Sequence, residues 1–289
     1  MHLTTAVDQI ATECDLAKST IGQYRKAVLR YSEYIGNQAD STDLTGPRLN
    51  EFVAFLQTQV TNTTASNYRR ALCRVWNFLT QEEGKPSYEI RRLRRPKSVE
   101  QPVVAWSLSD LRLLLSSCEQ FDNRTLKMGI LARDYFLALL LAAYDTGLRP
   151  SDLFLIRWDQ LSKADRAITL IQHKTGKPHI VFLSDETVAA IETIRGSRER
   201  IFPLKWGGIR RWMERIFEEA AKQGFVRLPG KNLGTLRKTN ATQVFIADGE
   251  AAAAESLGHT SGTRIVRKHY IDHRARRQYS VPRRPNGSN

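Results

Sequence analysis

Residues Tyr135 to Tyr144 read Tyr-Phe-Leu-Ala-Leu-Leu-Leu-Ala-Ala-Tyr, a run that is apolar on every face of a helix. A helix with no polar side belongs in the middle of a domain or in a membrane. The run is far shorter than the roughly 20 residues a bilayer demands, so it must be the central helix of a globular unit. Its end is well punctuated. Gly147 is a helix-stop signal and Pro150 a helix-start signal, so Leu148 and Arg149 lie at a tight turn between two helices. Upstream, the pattern predicts a helix running from about 125 to 145, and Ser107 to Asp110 reads as a capping box opening another through 115.

The rest of this half alternates helices with short loops. Two β-branched runs, 167–171 and 179–183, flank Lys174-Thr175-Gly176-Lys177-Pro178 and predict a hairpin with a glycine-containing loop. Helices are expected over 184–194, 207–222, 234–246, 250–257 and 264–273. The N-terminal portion carries no strand signal. Ile21, Tyr24, Val28, Tyr31 and Ile35 form an apolar stripe over 19–35, with Ser19 and Thr20 as cap candidates. Further helices are expected over 47–60 and 64–82, the last burying Tyr68, Leu72, Val75, Trp76 and Leu79 and showing Arg69, Arg70 and Arg74 on its surface. A basic run, 90–97, ends at Pro96 and reads as an interdomain linker. The expected organisation is therefore mostly α with a small β-hairpin: a helical domain over 1–98, a second domain over 99–280, and a loose tail over 281–289.

Charge narrows the partner. Lysine and arginine total 44 against 30 acidic residues, an excess of 14, which in a folded chain favours a polyanion through counterion release. Cys14, Cys73 and Cys118 are widely spaced and form no Cys-x-x-Cys pair, so they suggest neither metal nor redox work. The first residues lack a basic stretch followed by an apolar one. The expectation is a soluble, cytoplasmic, DNA-associated chain with no membrane partner.

Five residues stand in contexts that suit gripping a phosphodiester: Arg149 in Thr-Gly-Leu-Arg-Pro-Ser-Asp-Leu, Lys174 in His-Lys-Thr-Gly-Lys, Arg237 in Leu-Arg-Lys-Thr, His259 in Leu-Gly-His-Thr-Ser and Tyr270 in His-Tyr-Ile-Asp. In this order they resemble the tyrosine recombinase (phage integrase) family. The resemblance extends upstream, because residues 16–98 look like that family's helical core-binding, SAM-like domain. It implies a DNA recombinase and a catalytic set of Arg149, Lys174, Arg237, His259 and Tyr270. Two positions depart from the pattern. Gly234 stands where the family has histidine or lysine, and Tyr270 follows His259 by 11 residues, a longer interval than usual.

The chemistry fits these residue types. Guanidinium groups offer planar paired donors for the two nonbridging oxygens of a phosphodiester, so Arg149 and Arg237 would clamp it and His259 would add a donor. Tyr270 would attack phosphorus to give a 3′-phosphotyrosyl link, and a free phenol, with pKa near about 10, needs neighbouring cations for that role. Lys174 would protonate the leaving hydroxyl, with Lys177 as competitor. Asp152, one helical turn after Arg149, would orient that arginine. Because bond energy is kept in the covalent link, no nucleotide cofactor is required, and no metal is implied. The resemblance further implies duplex DNA as partner and a homotetramer on paired sites. The alternative is an integrase-like DNA-binding protein whose catalysis is impaired by Gly234, for which Lys231 and Lys238 are the nearest replacements along the chain.

Overall fold

A computed structural model describes residues 1–84, 86–89, 91–97, 100–258 and 263–276. The expected tail over 281–289 lies outside the described residues, as does His259. The chain divides into two compact units, Met1–Gln101 and Pro102–Asn289.

The first unit is all helical among its described residues: α1 (Leu3–Glu13), α2 (Lys18–Ile35), α3 (Gly46–Gln59) and α4 (Asn62–Glu82). The sequence reading passed over α1, which is short but buries Leu3, Ala6, Val7 and Ile10. Thr45 caps α3 by accepting from the Arg48 amide, and Thr61 caps α4 by accepting from the Thr64 amide. The Ser19-Thr20 cap does not form. α2 starts earlier, with Ala17 at the cap position and no side-chain bond, so both hydroxyl residues lie inside its first turn. The core joins Val28 and Tyr31 of α2 to Phe52 and Leu56 of α3 and Leu72 and Leu79 of α4. The Tyr31 ring meets Phe52 edge-on at 5.1 Å, and its hydroxyl donates to the Asp43 carbonyl at 2.8 Å.

Two further readings of this unit are corrected. Arg69 is buried, at 8% exposure, rather than displayed with Arg70 and Arg74. It shares a stripe with Leu72, Cys73 and Trp76, and that spacing carries its stem inward despite the charge. The basic run is also more than a linker: Leu93 joins the core, and the Asn50 side chain bonds the Arg92 carbonyl at 2.9 Å and the Arg94 amide at 2.6 Å.

The second unit comprises α5 (Leu108–Ser117), α6 (Ala132–Thr146), α7 (Pro150–Leu153), β1 (Leu161–Ser162), β2 (Ala167–Ile171), β3 (Pro178–Phe182), α8 (Asp185–Thr193), α9 (Trp206–Lys222), α10 (Thr235–Ser256) and α11 (Thr263–His269). The Ser107–Asp110 capping box opens α5 as its sequence implies. Helix α6 is the centre, with Tyr135, Phe136, Ala138, Leu139 and Leu140 fully buried, and it packs against α5, α8, α10 and β3. Truncating a residue such as Leu139 to alanine would cost about 2–5 kcal/mol. This helix begins seven residues later than the sequence implies. The chain instead turns back at Gly129, held at φ 79, with the Leu126 amide bonded to the Ile130 carbonyl.

The strands form an antiparallel sheet in the order β1-β2-β3, with Ile168 opposite Val181 and Leu170 opposite His179 facing inward. α10 is continuous apart from Gly249, whose φ of 87 breaks the helical path where the sequence separates two helices. Among the described residues, no helix is long and apolar enough to cross a membrane.

Candidate active site

The end of α6 sets the first arginine. Gly147 takes a left-handed conformation, φ 56, and Arg149 becomes the cap residue of α7 with Pro150 behind it. The Arg149 side chain is 17% exposed. Its Nη1 lies 3.4 Å from Gln172 Oε1 and 3.8 Å from Asp152 Oδ2. Asp152 is buried and accepts the His173 amide at 2.9 Å. That carboxylate thus fixes the end of the sheet against α7 while facing the arginine.

Arg237 arrives from the first turn of α10 and is 3% exposed. Its Nη1 donates to the Gly147 carbonyl at 2.6 Å and its Nη2 to the Leu257 carbonyl at 3.1 Å. The guanidinium carbon stands 4.8 Å from the centre of the Tyr270 ring, a cation–π contact. Burial lowers the Arg237 pKa, Tyr270 opposes the shift and the nearby Arg149 adds to it; the group remains charged, as arginine does. The two guanidinium groups are close enough to repel, and both feel the Asp152 carboxylate.

Tyr270 is half-buried, just past the last residue of α11 rather than within a helix reaching 273, and its amide and that of Ile271 both close on the Val266 carbonyl, at 2.9 and 3.2 Å. Its position is fixed from the following residues. Ile271 is fully buried. The Asp272 amide donates to Thr242 Oγ1 at 2.9 Å, and its carboxylate accepts the Ala105 amide at 2.8 Å and the Arg274 guanidinium at 2.9 Å. Burial pushes the Asp272 carboxyl up, but these donors together outweigh it and hold the group below the usual aspartate range.

Arg149, Arg237 and Tyr270 are therefore brought together. Lys174 is exposed in the turn between β2 and β3, with no hydrogen bond or ion pair to the other candidates among the described residues. Gly234 caps α10, and a Cβ there would lie 3.2 Å from Asn232 Oδ1 and 3.8 Å from Pro150 Cγ, beside the arginine turn. Lys231 does not take that place. Its ammonium donates to the Val104 carbonyl at 3.2 Å, and burial followed by the proximity of Lys238 lowers its pKa. Lys238 is half-buried near it.

The sequence reading missed Gln172 and His179. Gln172, 1% exposed, sends Nε2 to the Leu257 carbonyl at 3.3 Å. His179 Nε2 lies 3.2 Å from the Ser256 carbonyl. Burial pushes the imidazole pKa below 6.5, Arg237 and Arg149 pushing the same way and the Ser256 carbonyl and Asp152 opposing. Strand alternation was the available signal, since Ile168, Leu170 and Gln172 fall on one face of the sheet. Both side chains close on Gly258. At φ 65, a Cβ at that position would lie 2.4 Å from Gln172 Nε2 and 3.1 Å from His179 Nδ1, so the turn needs glycine.

A family model described as the phage integrase family matches residues 112–277. Among solved structures, a lambda integrase tetramer bound to a Holliday junction superposes with TM-score 0.75 at 18% identity, covering 97% of this chain and 80% of that one. A lambda integrase (75-356) dimer bound to a COC′ core site gives 0.74 at 17%, covering 97% and 99%. The Tn1549 transposon integrase in complex with circular intermediate DNA gives 0.68 at 14%, covering 93% and 95%. At these identities the likeness is one of fold. No curated protein sequence matches the chain.

Proposed function

The chain belongs to the phage integrase family, the tyrosine recombinases, and on that premise we propose that it cuts and rejoins duplex DNA through a covalent bond to Tyr270. The observation that carries this reading is the placement of the buried Arg237 guanidinium between the Tyr270 ring, the Gly147 carbonyl and the Leu257 carbonyl, beside Arg149.

In the proposed reaction, the nonbridging oxygens of the scissile phosphate sit against Arg149 and Arg237, whose donors stabilise the charge that builds in the pentacoordinate transition state. Tyr270 Oη gives up its proton to solvent and attacks phosphorus along the line opposite the 5′-oxygen. The P–O5′ bond breaks, a 3′-phosphotyrosyl bond forms, and Lys174, carried on its exposed turn, gives a proton to the departing 5′-oxygen. Rejoining reverses the steps with the 5′-hydroxyl of another strand as nucleophile, releasing Tyr270. His259, following Gly258, would supply a further donor to the phosphate. The helical first domain, about 1–98, would hold the DNA flanking the site and the second, about 99–280, would perform the chemistry, with two duplexes paired by a homotetramer.

Footprinting of DNA flanking the encoding gene would supply a binding site. A nicked suicide version of it, whose cleaved end diffuses away, traps the covalent adduct on a denaturing gel. The wild-type chain is expected to form the adduct, Tyr270→Phe none, and Lys174→Ala one that forms roughly 10²–10⁴ times more slowly. A wild-type chain that binds the site without forming adduct would overturn the reading in favour of a DNA-binding protein disabled at Gly234.

A further inference from the structure

Gln172 occupies a place the reaction above does not use. Its backbone closes the turn that bears Lys174: the amide donates to the Lys177 carbonyl at 2.8 Å, and the carbonyl accepts the Gly176 amide at 2.8 Å and the Thr175 amide at 3.3 Å. Its side chain bonds both within the turn and beyond it. Arginine only donates, so the amide oxygen must face Arg149 Nη1, at 3.4 Å, and that same oxygen accepts the Thr175 hydroxyl at 2.9 Å. The amide nitrogen then points to the Leu257 carbonyl, at 3.3 Å, which also receives Arg237 Nη2 at 3.1 Å. One buried amide thus touches the first arginine, the carbonyl that holds the second, and the turn of the lysine.

A buried primary amide with three of its bonding positions filled is held in one rotamer, because each unmade bond would leave a buried polar group unsatisfied. The backbone bonds of the hairpin shape the turn but do not tie it to the arginines. Lys174, Thr175, Gly176 and Lys177 are all exposed, and a turn of that kind moves freely unless tied.

We infer that Gln172 is a positioning residue which ties the Lys174 turn to the paired arginines, so that the general acid meets the phosphate they hold. The role rests on the reading of Lys174 and Tyr270 given above. It differs from a purely structural one in a specific way: the loss on removing the amide falls on protonation of the leaving oxygen rather than on DNA binding or on the nucleophile.

Gln172→Met removes the amide at nearly constant length. With the suicide site under single-turnover conditions, it is expected to slow adduct formation about 10- to 100-fold while leaving the Kd for the DNA within about twofold. Replacing the scissile 5′-oxygen by sulfur gives a leaving group that departs without protonation, and this substrate should recover most of the lost rate. Thr175→Val, an exposed change that removes one bond to the same oxygen, should show a smaller loss with the same recovery by sulfur, and it serves if Gln172→Met does not fold. Wild-type rates in both variants, or a loss equally deep with sulfur, would overturn the inference. Amide hydrogen exchange separates this from the reading beneath it. Exchange at 173–177 should rise in Gln172→Met while α6 stays protected, even if the wild-type chain proved unable to form adduct; unchanged exchange would sink the tie alone.

Discussion

Gly147→Ala puts a methyl group into a crowded part of the second unit. The added Cβ would stand 2.5 Å from Asn240 Oδ1, 2.9 Å from its Cγ and 3.0 Å from Leu257 Cδ2. Asn240 cannot yield without loss, since its amide donates to the Tyr144 and Asp145 carbonyls at 2.8 and 3.0 Å and so satisfies the end of α6. Two costs add. A side chain at φ 56 costs about 1–2 kcal/mol, and a displaced Asn240 leaves a buried carbonyl unpaired for about 1–3 kcal/mol. The sum, about 2–5 kcal/mol, corresponds to a Tm drop of roughly 5–20 °C for a unit of this size. Gly224→Ala is the matched control: its φ is 94 but nothing lies within 4 Å, so only the backbone cost of about 1–2 kcal/mol applies. Calorimetry of both variants isolates the crowding. The double variant Gly147→Ala/Asn240→Ala should lose less than the sum of its parts, because the obstructing amide is gone. The Gly147 carbonyl also holds Arg237, so adduct formation should slow in Gly147→Ala beyond what its stability explains. Equal Tm drops for Gly147→Ala and Gly224→Ala would refute the reasoning.

Two titrating groups near the site both weaken the fold on acidification, each in its own pH window. Asp272 is held below its ordinary pKa, so its contribution is complete above about 4 and is lost as pH falls through the folded value. Asp272→Asn should cost about 1.5–3 kcal/mol at neutral pH, and urea unfolding at pH 7, 4 and 3 should show that gap narrowing; a gap independent of pH would count against the bonding described. His179 is depressed below 6.5 chiefly by burial, so the unfolded chain takes up a proton that the folded one refuses. Wild-type stability should therefore decline as pH drops below 6.5, and His179→Gln should flatten that decline. Matching slopes between pH 5 and 6.5 would show that the imidazole is not confined as drawn.

The legible parts of this fold are those whose cause is local. The apolar run over 135–144, the stop at Gly147 and the start at Pro150 are neighbours in sequence, so α6 and the setting of Arg149 could be read directly. The Ser107–Asp110 cap and the break near Gly249 follow for the same reason. Arg69 was misread because charge was weighed above spacing, although its offsets of three, four and seven from Leu72, Cys73 and Trp76 already placed it on the buried stripe. What could not be read is the partner of a loop carbonyl. Arg237 is positioned by the Gly147 and Leu257 oxygens, backbone atoms that every residue possesses and that leave no mark in the sequence. The two motif glycines show the same division. Each announces a turn, but the reason a methyl is excluded is Asn240 at the first and Gln172 at the second, 93 residues after and 86 residues before in the chain. A motif of this kind is therefore a record of tertiary contact written at one end only, and the other end is found by following the backbone oxygens that the arginines hold.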